Sequence, residues 1–254
     1  MELHVLGADG GELLDYNSCG FLFDGQLLMD AGTVCSALPL KDILKIDDIL
    51  ISHTHLDHIK DLGLMADLLT EQRDTSVRIF GSATVIETLQ DHYFNNKVWP
   101  DFTKIPHPNA PVMVLQEIQP LQEVKIGNFR VLPIPVAHTI ETSGFLVSWD
   151  NGSLLYSSDT SATEELWQIA NERKDLKAIL LDVAFPNRLQ WIADLSGHLT
   201  ADGATKELEK LKRDVPVYFY HLKPAFHDEV KKDLKPLFEK GFRHLVSGEK
   251  LTFK

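Results

Sequence analysis

The sequence predicts an α/β sandwich, two sheets packed face to face with helices outside. Three observations predict it. Each half of the 254-residue chain opens with apolar strands and turn signals, then passes into segments of helical spacing. Asp24-Gly25 and Asp150-Asn151-Gly152 stand between apolar runs as hairpin turns. Hydrophobic residues make up 44% and charged residues 24%, enough to build a core and unlike a disordered chain.

Strands are expected at Leu3–Leu6, Gly20–Phe23, Gln26–Met29 and Ile46–Ser52, the last leading into His53. Apolar positions at helical spacing predict a helix over Ile59–Leu69, followed by a strand at Val77–Phe80 and a helix at Ala83–Gln90. Residues 91–111 mix Tyr93, Phe94, Trp99 and Phe102 with prolines and show no clean period. Two readings stand for this stretch: a lid or binding loop, or an insertion packed on the surface or against another subunit. As a lid it would offer the ring faces of Phe94, Trp99 or Phe102 to a purine.

The second half predicts strands at Phe129–Val136, Gly144–Trp149 and Ser153–Ser158. Helices near Glu164–Arg173 and Ala204–Lys212 then alternate with strands Ala178–Asp182 and Val215–Tyr220, and a last helix lies near Asp228–Lys240. No repeat, low-complexity run or Gly/Ser linker intervenes, so residues 1–254 are expected to form one domain.

Charge narrows the function classes. Lys and Arg number 25 against 37 Asp and Glu, a net charge of −12, which opposes a duplex-DNA or long-RNA partner. A small anionic substrate stays open, because bound metal can reverse the local field. Cys19 and Cys35 cannot build a disulfide framework and read as reduced, buried small hydrophobes. The first residues lack a basic start with a long apolar run, and no segment is apolar enough to span a bilayer. A cytoplasmic protein without membrane partners is expected.

The densest chemistry is His53-Thr54-His55-Leu56-Asp57-His58, four metal-ligating side chains within six residues directly after an apolar strand. Three imidazoles and a carboxylate suit zinc, manganese or iron. His138, Asp159 and His221 each follow an apolar strand, where loop residues of an α/β fold can converge on one site.

The order His-x-His-x-Asp-His, then His138, Asp159 and His221, resembles the metallo-β-lactamase superfamily, whose fold is an αββα four-layer sandwich. Leu27-Leu28-Met29-Asp30-Ala31-Gly32 is similar to its first motif, whose Asp orients the metal loop. The resemblance implies one ion held by His53, His55 and His138 and a second by Asp57, His58 and His221. Asp159 would bridge the two, and Asp30 would support the loop from behind.

Three segments resemble class II cyclic-nucleotide phosphodiesterases within that superfamily: Asp182-Val183-Ala184-Phe185-Pro186-Asn187, Ser196-Gly197-His198-Leu199-Thr200 and Tyr220-His221-Leu222-Lys223-Pro224. Asp61 and Ala184 depart from that pattern. The resemblance implies hydrolysis of 3′,5′-cyclic AMP or GMP to the 5′-monophosphate by attack of a metal-bridged hydroxide. Two divalent transition ions, zinc foremost and manganese or iron otherwise, would clamp the displacement about 3.5–4 Å apart.

Asp57 and His198 are the expected catalytic residues, His198 as proton donor to the leaving alkoxide. Asn187 and Thr200 are candidate substrate contacts, although Asn187 could equally brace its turn and Thr200 could cap the helix that follows. A homodimer is the family-level expectation. Other readings are an RNA 3′-end processing endonuclease, a thioester or lactam hydrolase on the same fold, and a metal-loaded binding or redox module.

Overall fold

In the computed structural model, which describes residues 1–254, the chain forms two seven-stranded sheets. The first runs, edge to edge, Lys250–Thr252, Glu2–Gly7, Gly20–Phe23, Leu27–Met29, Asp48–Leu50, Val77–Gly81 and Met113–Glu117. The second runs Arg243–His244, Val217–Tyr220, Leu176–Asp182, Gly152–Tyr156, Thr142–Trp149, Phe129–Val136 and Val124–Ile126.

Side-chain alternation makes the layers. Leu27 and Met29 join Phe21, Phe23, Phe145 and Tyr156 in a core between the sheets, while Leu28 between them points the other way. That outer face of the first sheet packs on Leu62, Met65, Ala66 and Leu69 of the helix Asp61–Leu69. The second sheet turns Leu146, Leu155 and Ile179 outward onto Leu166, Trp167 and Ala170 of the helix Glu165–Glu172 and onto Ala201 and Ala204 of the helix Ala201–Leu208. The result is helix, sheet, sheet, helix. Each fully buried Phe of the central layer contributes about 1.5–3 kcal/mol through apolar burial.

Both sheets carry parallel strands at their centres. Leu27–Met29, Asp48–Leu50 and Val77–Gly81 run parallel in one, and Gly152–Tyr156, Leu176–Asp182 and Val217–Tyr220 in the other. Parallel neighbours end at the same edge, so the loops after Asp48–Leu50, Gly152–Tyr156 and Val217–Tyr220 deliver the His-rich turn, Asp159 and His221.

Several elements differ from expectation. The strand predicted over Ile46–Ser52 shortens to Asp48–Leu50, because the Ser52 N–H and hydroxyl turn onto Asp30. The last helix divides into His227–Asp233 and Lys235–Phe238, with Pro236 lacking the N–H that would continue it. Four edge strands, Met113–Glu117, Val124–Ile126, Arg243–His244 and Lys250–Thr252, had no clear sequence signal. Cys35 is half-buried rather than buried, and both cysteines are free.

Residues 91–111 are fastened to the helix Asp61–Leu69. Tyr93 donates its hydroxyl to Lys60 O and accepts from Gly63 N, both at 3.0 Å, and Trp99 Nε1 donates to Gly63 O at 3.0 Å. A side chain at Gly63 would collide with the Trp99 ring. Phe94 and Phe102 are buried among the outer-layer core residues. Their rings stabilise the fold by burial and offer no face to a purine, which corrects the stacking expectation for those two. No helix is long and apolar enough to cross a membrane.

Candidate metal centre

The seven expected ligands meet around one carboxylate. Asp159 Oδ2 lies 3.2 Å from His221 Nε2, 3.3 Å from His58 Nε2, 3.6 Å from His53 Nε2 and 4.0 Å from His138 Nε2. His55 Nδ1 approaches His53 Nε2 to 3.1 Å and His138 Nε2 to 3.2 Å, and Asp57 Oδ2 lies 3.4 Å from His221 Nε2. The ligand atoms of His53, His55, His138 and Asp159 lie within 4.8 Å of one another, while His58 and His221 group with Cys19, and His221 approaches Asp57.

Hydrogen bonds on the outer nitrogens fix which inner nitrogens carry lone pairs. His138 Nδ1 donates to Gly197 O at 3.0 Å, since a carbonyl only accepts. Ser52 Oγ donates to Asp30 Oδ2, so His53 Nδ1 donates to Ser52 Oγ at 3.0 Å. His58 Nδ1 donates to Asp30 Oδ2 at 2.8 Å. In the neutral rings each Nε2 is left as an acceptor aimed inward.

The donor set therefore fits divalent metal. His58 Nε2, His221 Nε2 and Asp159 Oδ1 are buried without any hydrogen-bond partner, and each such orphan costs roughly 1–3 kcal/mol. Converging imidazole lone pairs and carboxylates are what a borderline-soft cation satisfies.

The ionisation pattern divides the imidazoles, with His53, His55 and His138 lowered and His58 and His221 raised. Burial, reinforced by the facing His58, pushes the His53 value well below the ordinary imidazole one. Burial likewise lowers His55 and His138. Burial opposes charge on His58 too, but Asp159 and Asp30 outweigh it and raise that imidazole. Burial would also raise Asp159, yet His221 and His58 hold it well below the usual carboxylate range.

Asp30 anchors the centre from beneath. Its Oδ1 accepts from Ser52 N at 2.9 Å, and its Oδ2 accepts from Ser52 Oγ, Tyr156 Oη and His58 Nδ1 at 2.7–2.8 Å. Asp30, Ser158 and His221 all adopt left-handed backbone, with φ of 56°, 55° and 70°. Such strain at non-glycine residues persists where surrounding contacts enforce it. Asp61, a departure from the phosphodiesterase pattern, is a buried brace whose Oδ2 accepts from Val34 N and Cys35 N at 2.7 and 2.8 Å.

His198 stands beside the ligands, stacked on His221 with ring centroids 4.9 Å apart, and its Nδ1 donates to Asp182 Oδ2 at 3.0 Å. Asp182 was not singled out as a site residue. Its other oxygen lies 3.3 Å from His221 Nδ1, although neither of those two buried atoms completes a hydrogen bond. The signal was available: like Asp159, Asp182 is a carboxylate at a strand end, registered opposite Tyr220 immediately before His221.

Two expected substrate contacts look elsewhere. Thr200 is fully buried; its hydroxyl accepts from Gly203 N and donates to Gln190 Oε1, which makes it a helix cap, one of its two expected roles. Asn187 Oδ1 accepts from Asp202 N in that same helix, and its N–H donates to Asp233 Oδ2.

The family model described as Beta-lactamase superfamily domain matches residues 22–221. The chain belongs to this superfamily. It is a metallo-β-lactamase-fold hydrolase, and that fold together with the ligand clusters implies divalent metal ions. It is 28% identical to the probable 3′,5′-cyclic-nucleotide phosphodiesterase of Yersinia pestis, over 89% of this chain and 79% of that one. It is 29% identical to 3′,5′-cyclic-nucleotide phosphodiesterase 1 of Saccharomyces cerevisiae, over 65% of this chain and 51% of the other. In three dimensions it is similar to unliganded yeast PDE1 at a TM-score of 0.84 and 20% identity, with 99% of each chain covered. The short form of human tRNase Z follows the same fold at a TM-score of 0.69 and 15% identity, with each chain fully covered.

Proposed function

We propose that this hydrolase cleaves 3′,5′-cyclic nucleotides, cyclic AMP or cyclic GMP, to 5′-monophosphates at a dinuclear centre. The single observation that carries this reading is Asp159 Oδ2 lying within 4.0 Å of an Nε2 of each of His53, His58, His138 and His221. The two curated phosphodiesterase relatives named above support the substrate class.

His53, His55 and His138 would hold one ion and Asp57, His58 and His221 the other, with Asp159 shared. Divalent ions there, zinc foremost, supply Lewis-acid stabilisation of phosphoryl charge and activation of water near neutral pH. His198 would donate the proton to the departing 3′-oxygen, a role supported by its Nδ1 being held by Asp182, which leaves Nε2 outside that bond. Asp57 and Asp159 carry negative charge toward the ligand side, and Asp182 and Asp30 fix the rings that face them. A soluble homodimer acting on small-molecule nucleotides in the cytoplasm completes the reading.

The test is metal analysis followed by incubation with cyclic AMP, cyclic GMP and bis(p-nitrophenyl) phosphate. The expected result is about two divalent ions per chain and release of the 5′-monophosphate, as two-metal displacement requires. Cleavage of the generic diester without the cyclic nucleotides would overturn the substrate assignment. A 3′-monophosphate product would overturn the direction of attack.

A further inference from the structure

The centre gathers four carboxylates, Asp30, Asp57, Asp159 and Asp182, in a chain of net charge −12. Two divalent cations would only cancel those four charges. An anionic phosphodiester then approaches a site with no surplus positive charge, inside a protein whose wider field repels it. Among all lysines and arginines, Lys223 alone forms an ion pair with any of the four, its Nζ lying 3.7 Å from Asp57 Oδ2.

Position matters as much as charge. His53, His58 and His221 are fully buried, whereas the side chains of Lys223 and Asp57 keep 24% and 23% of their surface exposed. That pair therefore lies on the partly exposed rim of the ligand cluster, which His55 shares. The Lys223 backbone is fixed, its N–H donating to Ala184 O at 3.1 Å and its carbonyl accepting from Phe226 N at 2.9 Å. Its ammonium has no other carboxylate partner and no hydrogen bond to any other group, so its donors are free to turn to an incoming anion.

Resting on the two-ion reading above, we propose that Lys223 binds a non-bridging oxygen of the substrate phosphate. The ammonium is a compact, mobile point charge suited to a phosphoryl oxygen at a partly exposed rim. It selects phosphodiester anions over neutral esters of the same size.

The experiment uses the zinc-loaded protein and the substitutions Lys223→Met and Lys223→Arg. KM and kcat are measured for cyclic AMP, affinity for inorganic phosphate by calorimetry, and zinc content by elemental analysis. Lys223→Met is expected to raise KM and the phosphate dissociation constant together by about 10-fold or more, the range for a lost hydrogen bond to a charged group. Zinc content should hold, and Lys223→Arg should recover most of the affinity. Both effects should shrink as salt is raised, since the pair is partly exposed.

Unchanged phosphate affinity in Lys223→Met would overturn the proposal. So would a loss that tracks zinc content, because Lys223 would then act only through Asp57. If the wild-type protein leaves cyclic AMP intact, the phosphodiesterase reading fails, while the phosphate titration still decides the role of Lys223.

Discussion

The His58 imidazole donates to the Asp30 carboxylate across 2.8 Å, and both side chains are fully buried. One bond thereby joins the strand end at Met29 to the turn that carries four of the ligands. It fixes His58 with Nδ1 protonated and Nε2 open toward Asp159. Asp30→Asn puts an amide where a carboxylate accepts four hydrogen bonds, and one donor must then face another. Affinity for the second ion should fall about 10–100-fold, as for other groups that orient a ligand. Equilibrium dialysis against a metal buffer measures this directly; full retention of both ions would contradict it.

His198 gathers with Asp159, Asp182 and His221, their ligand atoms within 4.8 Å of one another, and its Nδ1 is taken by Asp182. His198→Ala should lower kcat about 10²–10⁴-fold, the range for a lost general acid, with metal content unchanged. Turnover at the wild-type rate would remove it from the chemistry. Asp182→Asn should lower turnover as well, because that carboxylate accepts from His198 Nδ1 and holds the ring.

Gly197 is required by geometry. It ends the helix Gln190–Ser196 in left-handed backbone at φ 69°, and a Cβ there would sit 2.9 Å from His138 Nδ1. Gly197→Ala combines strain of about 1–2 kcal/mol with displacement of a ligand ring. The expected outcome is a lower denaturation midpoint accompanied by weaker metal binding. A stability loss with metal affinity intact would show that the His138 ring can shift without consequence.

The pH dependence includes one group away from the centre. Burial, helped by the cations Lys231, His227 and Arg243, pulls the His244 value down to about 4. A histidine with a lowered folded value binds its proton more readily when unfolded, so stability is lost as pH falls from about 6.5 toward 4. His244→Gln should flatten the thermal denaturation profile over that window and leave it unchanged above pH 7. An equally steep profile in the variant would assign the acid sensitivity elsewhere.

The side chains that gather at the centre were legible because their chemistry is local. Four of them crowd into His53–His58, and His138, Asp159 and His221 each follow a hydrophobic strand that marks its own end. The hairpins at Asp24-Gly25 and Asp150-Asn151 were equally readable, since the strands flanking them pair across the turn. The short edge strands were not, because two to five residues of mixed polarity carry too little period to separate them from coil. Phe94 and Phe102 misled for a related reason: an aromatic ring in an irregular stretch reads alike whether it faces a ligand or a core.

By itself the sequence determined the layer order, through alternating strands and helical stripes, and which side chains to expect at the centre, through residue type and position after strands. Only the tertiary structure decided which oxygen or nitrogen faces which. Asp182 becomes the support of His198, Thr200 becomes a cap, and Lys223 reaches Asp57, because parallel strands end together and bring distant loops within a few ångströms. Contacts of that kind depend on angles and distances between loops far apart in the chain, and no local pattern of residues encodes them.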